Sequence, residues 1–479
     1  MSDFANSDFA NSDFEVIVIG SGPAGQKAAI QAAKAGKRVA VIERDRQVGG
    51  SCVHTGTIPS KSLREHALRQ RIRRVDLMDE PIQSLLDGVG ATIAAHDAYM
   101  AAQLERNHIA LVRGRASFAS PTELRIQRID GTTQPLRAPI MIIASGSRPR
   151  PPAHLSVDHE HVLDSDSILS LAYLPRSLLV IGGGVIASEY AAMFAALGCK
   201  VTQADQLDQP LAFLDPELTA FYLDELRRNG GEYIARAEAA SARFDGVSQV
   251  RVEFKGGRVI EADKVLVALG RLANVDGLNL GAIGVQLTER GHVRVNECLE
   301  TTVPGIFAAG DVIGPPALAS VSMEQGRRAA CHALGLLVPS DPVSRLPSGV
   351  YTLPEIATVG LDEHGARRHF GGALVGRARF EEIARGQING CQRGLLKLIA
   401  DPGGRRVVGV QIAGDGATEL VHIGQLGLAA ELDVDAYVDN VFNFPTMAEA
   451  YRIAALDIVK QRGRVSSSEV VADVLSAIL

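Results

Sequence analysis

Two glycine-rich segments of the sequence have a spacing suited to binding a dinucleotide. The first places Gly20, Gly22 and Gly25 between a short apolar stretch and an Ala-rich stretch. Glycines in this pattern permit a tight turn, let the backbone approach a pyrophosphate and allow a helix to pack closely on a strand. Glu43, 23 residues after Gly20, ends the next apolar stretch, where a carboxylate can accept hydrogen bonds from a ribose. The pattern predicts a dinucleotide site rather than a tight turn without a ligand.

The second segment repeats this arrangement with Gly182, Gly184 and Ala187. Its strand-end acid is Asp205, again 23 residues after the first glycine. A carboxylate at this position favours a ribose 2′-hydroxyl and repels a 2′-phosphate, and residues 206–210 contain no Arg or Lys. The segment therefore predicts a site that prefers NAD(H) to NADP(H). A degenerate second domain without a ligand is the alternative.

Residues 49–61 lie between these segments and contain side chains suited to redox or acid–base chemistry. A thiolate at Cys52 could be activated by a helix N-terminus, but residues 49–61 contain no second cysteine that could close a disulfide with it. The Thr57 hydroxyl either hydrogen-bonds a bound ring system or caps the following helix. His54 either handles a proton or packs as a polar loop residue.

Two βαβ units are predicted to position these side chains. The first has strands at 15–20 and 38–43 around a helix at 22–36, and the second has strands at 177–181 and 200–205 around a helix at 185–197. Further helices are predicted at 60–72 and 96–113 and a further strand at 140–144, with a crossover between domains at the Pro-rich residues 149–152. Residues 346–479 have neither fingerprint and read as an α+β domain.

Composition narrows the class of protein. The chain has 479 residues, 46% hydrophobic and 22% charged, and a net charge of −6, which gives no reason to expect nucleic acid or an acidic membrane as partner. No apolar run approaches the ~18 residues of a membrane span. The five cysteines are scattered without metal-ligand spacing, so we expect a cytoplasmic protein with no metal. The five-residue repeat in residues 2–14 predicts a frayed tail.

Together these motifs resemble the FAD- and NAD-linked pyridine nucleotide–disulfide oxidoreductases over residues 14–465. Residues 302–311 resemble the second FAD segment of that family, whose acid, here Asp311, binds the ribityl chain. Residues 267–274 resemble the end of its NAD domain, and residues 351–360 resemble the start of its dimer-interface domain. Within the family, residues 52–61 and 442–452 are similar to the soluble pyridine nucleotide transhydrogenase branch.

The resemblance implies an α/β fold with two Rossmann-like dinucleotide-binding domains, for FAD and NAD, and a C-terminal α+β dimerisation domain. The implied boundaries are an N-terminal tail at 1–14, FAD-binding parts at 15–160 and 286–345, an NAD(P)-binding domain at 161–285, a dimerisation domain at 346–465 and a helical extension at 466–479. The predicted cofactor-binding residues are Gly20, Gly22, Gly25, Glu43, Gly50, Ser145, Asp311, Ala319, Gly182, Gly184, Ala187, Asp205 and Gly270. The predicted catalytic residues are Lys61, Glu189, Cys52 and Thr57.

Two departures from the family pattern point away from thiol chemistry. Thr57 replaces the second cysteine, and Phe444 replaces the acid/base histidine that would partner Glu449. Glu449 is then expected to be structural, and Phe444 to give the flavin site an apolar floor. By the resemblance, Lys61 lies near flavin N5 and pairs with Glu189, where its charge assists hydride uptake, unless the two form a plain interdomain ion pair.

The sequence favours a homodimeric FAD enzyme that passes hydride between pyridine nucleotides. An NADH-dependent diaphorase or quinone reductase is the second hypothesis, which Asp205 favours. A flavin-binding redox sensor is the third. In the extension at 466–479, Ser466 and Glu469 resemble a capping box, and the segment is predicted to form an amphipathic helix that docks on its own dimer or binds a partner.

Overall fold

A computed structural model describes residues 13–73, 82–338 and 346–478, with side chains described outside 70–86 and 464–479. The chain forms two compact units, Met1–Leu174 with Leu266–Ser340 and Pro175–Val265 with Asp341–Leu479. Most of the predicted tail at 1–14 lies outside the described residues. Among the described helices, none is long and apolar enough to cross a membrane. The predicted domain boundaries remain predictions.

Among the described residues up to 265, the structure has fifteen strands and six α-helices. Up to residue 174 these are β1 (Val16–Ile19), α1 (Pro23–Lys34), β2 (Val39–Glu43), α2 (Gly50–His54), α3 (Thr57–Arg73), α4 (Ile82–Arg106), β3 (Ala110–Arg113), β4 (Arg115–Ser120), β5 (Glu123–Gln127), β6 (Thr133–Arg137), β7 (Ile140–Ile143), β8 (Ser147–Pro149) and β9 (Val162–Leu163). They continue as β10 (Ser177–Ile181), α5 (Val185–Ala196), β11 (Lys200–Ala204), α6 (Pro216–Arg228), β12 (Glu232–Ile234), β13 (Ala239–Phe244), β14 (Val250–Phe254) and β15 (Val259–Ala262).

The remaining elements begin with β16, the strand in which the chain passes from the second unit back to the first. They are β16 (Lys264–Val267), β17 (Arg271–Ala273), β18 (Ile306–Ala308), α7 (Ala319–Ala333), β19 (Ser348–Val350), β20 (Ile356–Gly360), α8 (Glu363–Phe370), β21 (Leu374–Arg379), α9 (Ala384–Asn389), β22 (Gly394–Ala400), β23 (Val407–Gly414), α10 (Ala417–Ala429), α11 (Val434–Asp439) and α12 (Glu449–Ile478).

A five-stranded parallel sheet in the order β18-β7-β1-β2-β3 organises the first unit. Strands β1 and β7 are apolar at every position, and β2 is apolar up to its final residue Glu43, because both faces of the sheet are covered. Val16 and Val18 pack with the alanines of α1 on one face, whereas Ile17 and Ile19 pack with the antiparallel strands β4–β6 on the other. Strand β1 lies in register between β2 and β7, so the loops after these strands meet at one sheet edge.

Helix α4 corrects the helix predicted over 96–113. It begins earlier, at Ile82, and ends at Arg106, and residues 110–113 form the edge strand β3 beside β2. His108 adopts a left-handed backbone with φ 54°, which ends the helical path. The apolar spacing that predicted a helix there comes instead from side chains buried beside the sheet.

In the second unit, β10, β11 and β12 pair in parallel and confirm the predicted second βαβ unit. The C-terminal α+β prediction is also confirmed by an antiparallel sheet in the order β19-β20-β23-β22-β21, with helices packed on it. Buried charges join this sheet to α6: Lys397 of β22 is 2% exposed and pairs with Asp215 at 2.8 Å and Glu217 at 2.9 Å. A buried ammonium requires such partners.

The structure corrects two predictions about single segments of the chain. Residues 149–152 are not a crossover between units, because β8 pairs with β17 inside the first unit and the chain stays there to Leu174. Ser466 does not start a new helix, because α12 runs unbroken from Glu449 to Ile478. Helix α12 continues through Gly463 and Val465, so Ser466 lies inside the helix and its backbone needs no cap there.

Candidate active site

The first glycine-rich loop has the geometry expected of a pyrophosphate cradle. Gly20 has φ 103°, and a Cβ added there would lie 2.4 Å from the Ala144 carbonyl oxygen. A Cβ on Gly25 would lie 1.9 Å from the Gly20 carbonyl oxygen, so α1 can approach the loop only with glycine at this position. Gly22 is the N-cap of α1 and leaves the first turn without a side-chain cap. The helix amides are therefore available to an anion.

Glu43 is buried beside this loop at 6% exposure. Its Oε2 accepts hydrogen bonds from the Ser21 amide at 3.0 Å and the Ser21 hydroxyl at 2.6 Å, and its Oε1 accepts one from the Asp45 amide at 3.0 Å. The Ser21 hydroxyl also accepts a hydrogen bond from the Gly49 amide at 3.1 Å. Glu43 and Ser21 thereby tie the glycine-rich loop to the segment after β2. Sequence reasoning missed the part played by Ser21.

A cavity of about 720 Å³ opens above this loop. Its lining brings together six of the predicted cofactor-binding residues: Gly20, Gly22, Glu43, Gly50, Ser145 and Asp311. The Ser145 Oγ is buried and has no hydrogen-bond partner among the described residues. An unpaired buried hydroxyl in a cavity wall fits a site that binds a polar ligand.

Asp311 is held in place by two residues whose role the sequence did not reveal. Its Oδ2 accepts a hydrogen bond from the Ser147 hydroxyl at 2.7 Å, and the same hydroxyl accepts one from Arg271 Nε at 2.8 Å. Arg271 also donates to the Ser147 carbonyl oxygen at 2.9 Å. These residues lie on β8 and β17, which are far apart in sequence, so only their antiparallel pairing could have revealed the link.

Cys52, Thr57 and Lys61 are brought together where α2 ends and α3 begins. Burial raises the pKa of the Cys52 thiol, and Asp311 raises it further, whereas a hydrogen bond from Thr57 and the charge of Lys61 lower it. Because burial is the largest of these influences, the thiol stays protonated near neutral pH. All five cysteines of the chain are free. Thr57 is both the first residue of α3 and a hydrogen-bond partner of Cys52.

The imidazole of His54 is engaged by the backbone. Its Nε2 donates to the Val48 carbonyl oxygen at 2.7 Å, and Asp97 Oδ1 lies 3.9 Å from the same nitrogen. This arrangement supports a packed loop histidine.

Lys61 lies in the first unit and Glu189 in the second, so their pairing stays a prediction. Within its own unit, Glu189 is buried, and its Oε1 accepts a hydrogen bond from the Tyr351 amide at 2.8 Å.

The second glycine-rich loop is built in the same way. Gly182 has φ 131°, and a Cβ on Gly184 would meet nothing within 4 Å, which leaves the helix N-terminus open to a ligand. A Cβ on Gly183 would lie 2.4 Å from Asp205 Oδ2, so the predicted ribose-binding carboxylate lies directly against the loop. Ala187 is fully buried in α5, as its predicted packing role requires.

Buried polar groups hold this loop from beneath. Gln203 Nε2 donates to the Gly182 carbonyl oxygen at 3.0 Å and to Ser188 Oγ at 3.1 Å, and Tyr222 donates to Gln203 Oε1 at 2.7 Å. Burial raises the pKa of Tyr222, which keeps this donor protonated. The motif alone did not reveal this support.

The other predicted residues lie apart from these clusters. Ala319 begins α7, whose Gly326 allows close packing on α1, and Gly270 accepts a hydrogen bond from the Arg150 amide at 3.0 Å. Phe444 is 68% exposed in the second unit. Glu449 starts α12, and its Oε2 is buried without a hydrogen-bond partner among the described residues.

The first cavity fits the ADP and ribityl portions of FAD. The uncapped α1 amides suit a pyrophosphate, Glu43 suits a ribose, and Ser145 and Asp311 supply polar atoms along the remaining wall. Gly20, Gly22 and Gly25 leave the space that a Cβ would fill. The donor set therefore agrees with a bound dinucleotide.

Known proteins resemble this chain over most of its length. A model of the pyridine nucleotide-disulphide oxidoreductase family matches residues 14–326, and a model of that family's dimerisation domain matches residues 346–455. The soluble pyridine nucleotide transhydrogenase of Mycobacterium tuberculosis (strain ATCC 25177 / H37Ra) is 40% identical over 468 residues, covering 93% of this chain and 97% of the relative. That of Pseudomonas syringae pv. syringae (strain B728a) is 39% identical over 459 residues, covering 92% and 97%.

Two solved structures superpose on most of this chain. The Cu(II) complex of the HOCl-induced flavoprotein disulfide reductase RclA from Escherichia coli superposes with TM-score 0.86 at 27% identity, covering 92% of this chain and 99% of that one. LpdA from Mycobacterium tuberculosis gives TM-score 0.86 at 28% identity with the same coverage. The family is FAD- and NAD(P)-dependent, and its dimerisation domain suggests a homodimer. The chain therefore belongs to the pyridine nucleotide–disulphide oxidoreductase family and is an oxidoreductase.

Proposed function

We propose that this enzyme passes hydride from a reduced pyridine nucleotide, through FAD N5, to an oxidised pyridine nucleotide, without a redox disulfide. The names of its 39–40% identical relatives support transhydrogenation. The observation that carries the disulfide-free route is the partner of Cys52. Thr57, and not a second thiol, lies beside it and influences its pKa, and all five cysteines are free.

Bound FAD supplies a ring that takes up hydride at N5 and releases it there. The protein's own residues bind and orient the reactants. Glu43, Ser145 and the α1 amides hold the first dinucleotide, and Asp205 with the α5 amides holds the second. Lys61 places a positive charge next to Cys52. From there it would stabilise the negative charge that a bound flavin ring gains when it accepts hydride.

Cys52 contributes no electrons in this scheme. Its protonated thiol is a poor nucleophile, and Thr57 offers no sulfur with which to form a disulfide. Neither Cys52 nor Thr57 would therefore take electrons from bound FAD. Donor and acceptor nucleotides then react in turn, which predicts ping-pong kinetics.

An NADH-dependent diaphorase or quinone reductase is the second candidate function. Asp205 favours it, because the carboxylate lies directly against the loop and residues 206–210 offer no cation for a 2′-phosphate. The same flavin site would then deliver hydride to a quinone in place of a second nucleotide.

Anaerobic stopped-flow absorbance of the FAD-loaded enzyme separates the two candidates. NADH and NADPH are mixed separately with the enzyme, and thio-NAD⁺ or a quinone is added in a second mix. Transhydrogenation predicts fast bleaching by a reduced nucleotide and fast recovery with thio-NAD⁺. Recovery with the quinone alone would instead establish the diaphorase.

A further inference from the structure

Arg236, two residues after the end of β12, lies beside the loop that contains Asp205. Strands β11 and β12 are parallel, with Ala204 opposite Ile234, so the residues after β12 run beside those after β11. Hydrogen bonds in both directions fasten the two segments, and one of them runs from the Asp205 amide to the Ile234 carbonyl oxygen at 3.2 Å. The Ala237 amide donates to the Asp205 carbonyl oxygen at 2.7 Å, and both the Arg236 amide at 3.2 Å and the Tyr233 hydroxyl at 3.0 Å donate to the Leu207 carbonyl oxygen.

The guanidinium of Arg236 is directed at this loop and is accessible to solvent. Its Nε forms an ion pair with Asp208 Oδ1, and the two side chains are 79% and 70% exposed. The hydrogen bond from Arg236 lowers the pKa of Asp208, which therefore carries a full charge near neutral pH. An ion pair so exposed contributes little, since water competes for both partners. Arg236 can therefore exchange Asp208 for a more highly charged anion at small cost.

The position of this cation bears on nucleotide selection. Asp205 lies where the adenosine ribose of a nucleotide bound to the second loop is expected, and a 2′-phosphate there meets an unfavourable carboxylate. Residues 206–210 supply no compensating charge. Arg236 lies 26 or more residues beyond that segment in sequence but next to it in space.

We propose that Arg236 is the residue that admits the 2′-phosphate of NADP(H), and that Asp208 restrains it when NAD(H) binds. With NADP(H), the guanidinium leaves Asp208 and forms charge-assisted hydrogen bonds with the phosphate oxygens. With NAD(H), the 2′-hydroxyl is bound by Asp205 and Arg236 remains paired with Asp208. One loop thereby accepts both nucleotides, as a transhydrogenase requires. This inference rests on the proposed function and assigns the residue that permits its second substrate.

Binding of two nucleotide fragments to the FAD-loaded enzyme tests the proposal without hydride transfer. Adenosine 2′,5′-bisphosphate and 5′-AMP differ only in the 2′-phosphate, and isothermal titration measures the ratio of their Kd values. Arg236→Gln is expected to shift this ratio about tenfold against the bisphosphate. Arg236→Lys, which keeps the charge and loses the planar fork, should show a smaller shift. Asp208→Asn should shift the ratio the opposite way.

A surface arginine of the same unit provides the matched control. Arg251 on β14 is 54% exposed and lies 3.6 Å and 3.5 Å from Glu253 and Glu261, so Arg251→Gln removes an equivalent ion-paired charge away from the loop. It should leave the ratio unchanged. Steady-state kinetics should place the Arg236→Gln effect in the KM for NADPH rather than in kcat.

Several results would overturn the assignment. One is an unchanged Kd ratio in Arg236→Gln. Another is equal weakening of both fragments in that variant. A third is a bisphosphate Kd that is the same in the wild-type enzyme and in the variant. These outcomes differ from a failure of the proposed function. In that case the flavin would not recover with thio-NAD⁺, whatever the fragment affinities.

Discussion

Replacing Glu43 by alanine is expected to weaken FAD binding by a calculable amount. A carboxylate offers about four acceptor positions. Oε2 uses two of them on Ser21, and Oε1 uses one on the Asp45 amide. Among the described residues this leaves one position of Oε1 for a ribose hydroxyl. Loss of one charge-assisted hydrogen bond costs about 1.5–3 kcal/mol, which corresponds to a Kd roughly 10- to 150-fold higher.

The assay is fluorescence titration of apoprotein with FAD, accompanied by the flavin-to-protein absorbance ratio after gel filtration. Glu15→Ala is the matched control. Glu15 also accepts a backbone hydrogen bond, from Arg38 at 3.0 Å, and pairs with Lys37, but it does not line the cavity. Urea unfolding of both apoproteins separates lost affinity from lost stability. Full flavin occupancy and an unchanged Kd in Glu43→Ala would refute the ribose role.

Four further predictions follow from particular contacts. Ser145→Ala should raise the FAD Kd about tenfold while leaving apoprotein stability unchanged, because its hydroxyl has no protein partner to lose; equal Kd values would contradict this. Cys52→Ser should keep the stopped-flow rate of flavin reduction by NADH within about twofold, since the thiol is protonated, and a collapse of that rate would restore a thiol role. Asp205→Ala should raise the NADPH-to-NADH ratio of kcat/KM, and an unchanged ratio would show that the ribose is recognised elsewhere. Lys397→Met should lower the free energy of unfolding in urea by about 3–5 kcal/mol by leaving Asp215 buried and unpaired, whereas a loss below ~1 kcal/mol would contradict that account.

Local sequence patterns predicted the parts of the fold that local physics determines. Both βαβ units were confirmed because apolar strands, glycine turns and strand-end acids occur within short segments. The helix predicted at 96–113 was wrong at its C-terminal end, where side chains bury against a sheet edge and give a helix-like spacing. Periodicity alone does not distinguish these causes of burial.

In the candidate site, too, local patterns predicted some residues, whereas others depend on contacts between distant parts of the chain. Glu43 and Asp205 lie beside their loops because Glu43 ends β2 and Asp205 directly follows β11. Ser147 and Arg271 escaped notice because their link to Asp311 depends on pairing between distant strands. Arg236 escaped for the same reason, since its proximity to Asp205 depends on the pairing of β11 with β12 and not on the residues directly after Asp205.

Anaerobic titration of the FAD-loaded enzyme with NADH tests the central claim most directly. If electrons reside only on the flavin, one equivalent of NADH per FAD bleaches the flavin absorbance completely. Thio-NAD⁺ then restores the absorbance in full. A requirement for two equivalents, with two new thiols appearing per FAD, would reveal a redox disulfide and contradict the account.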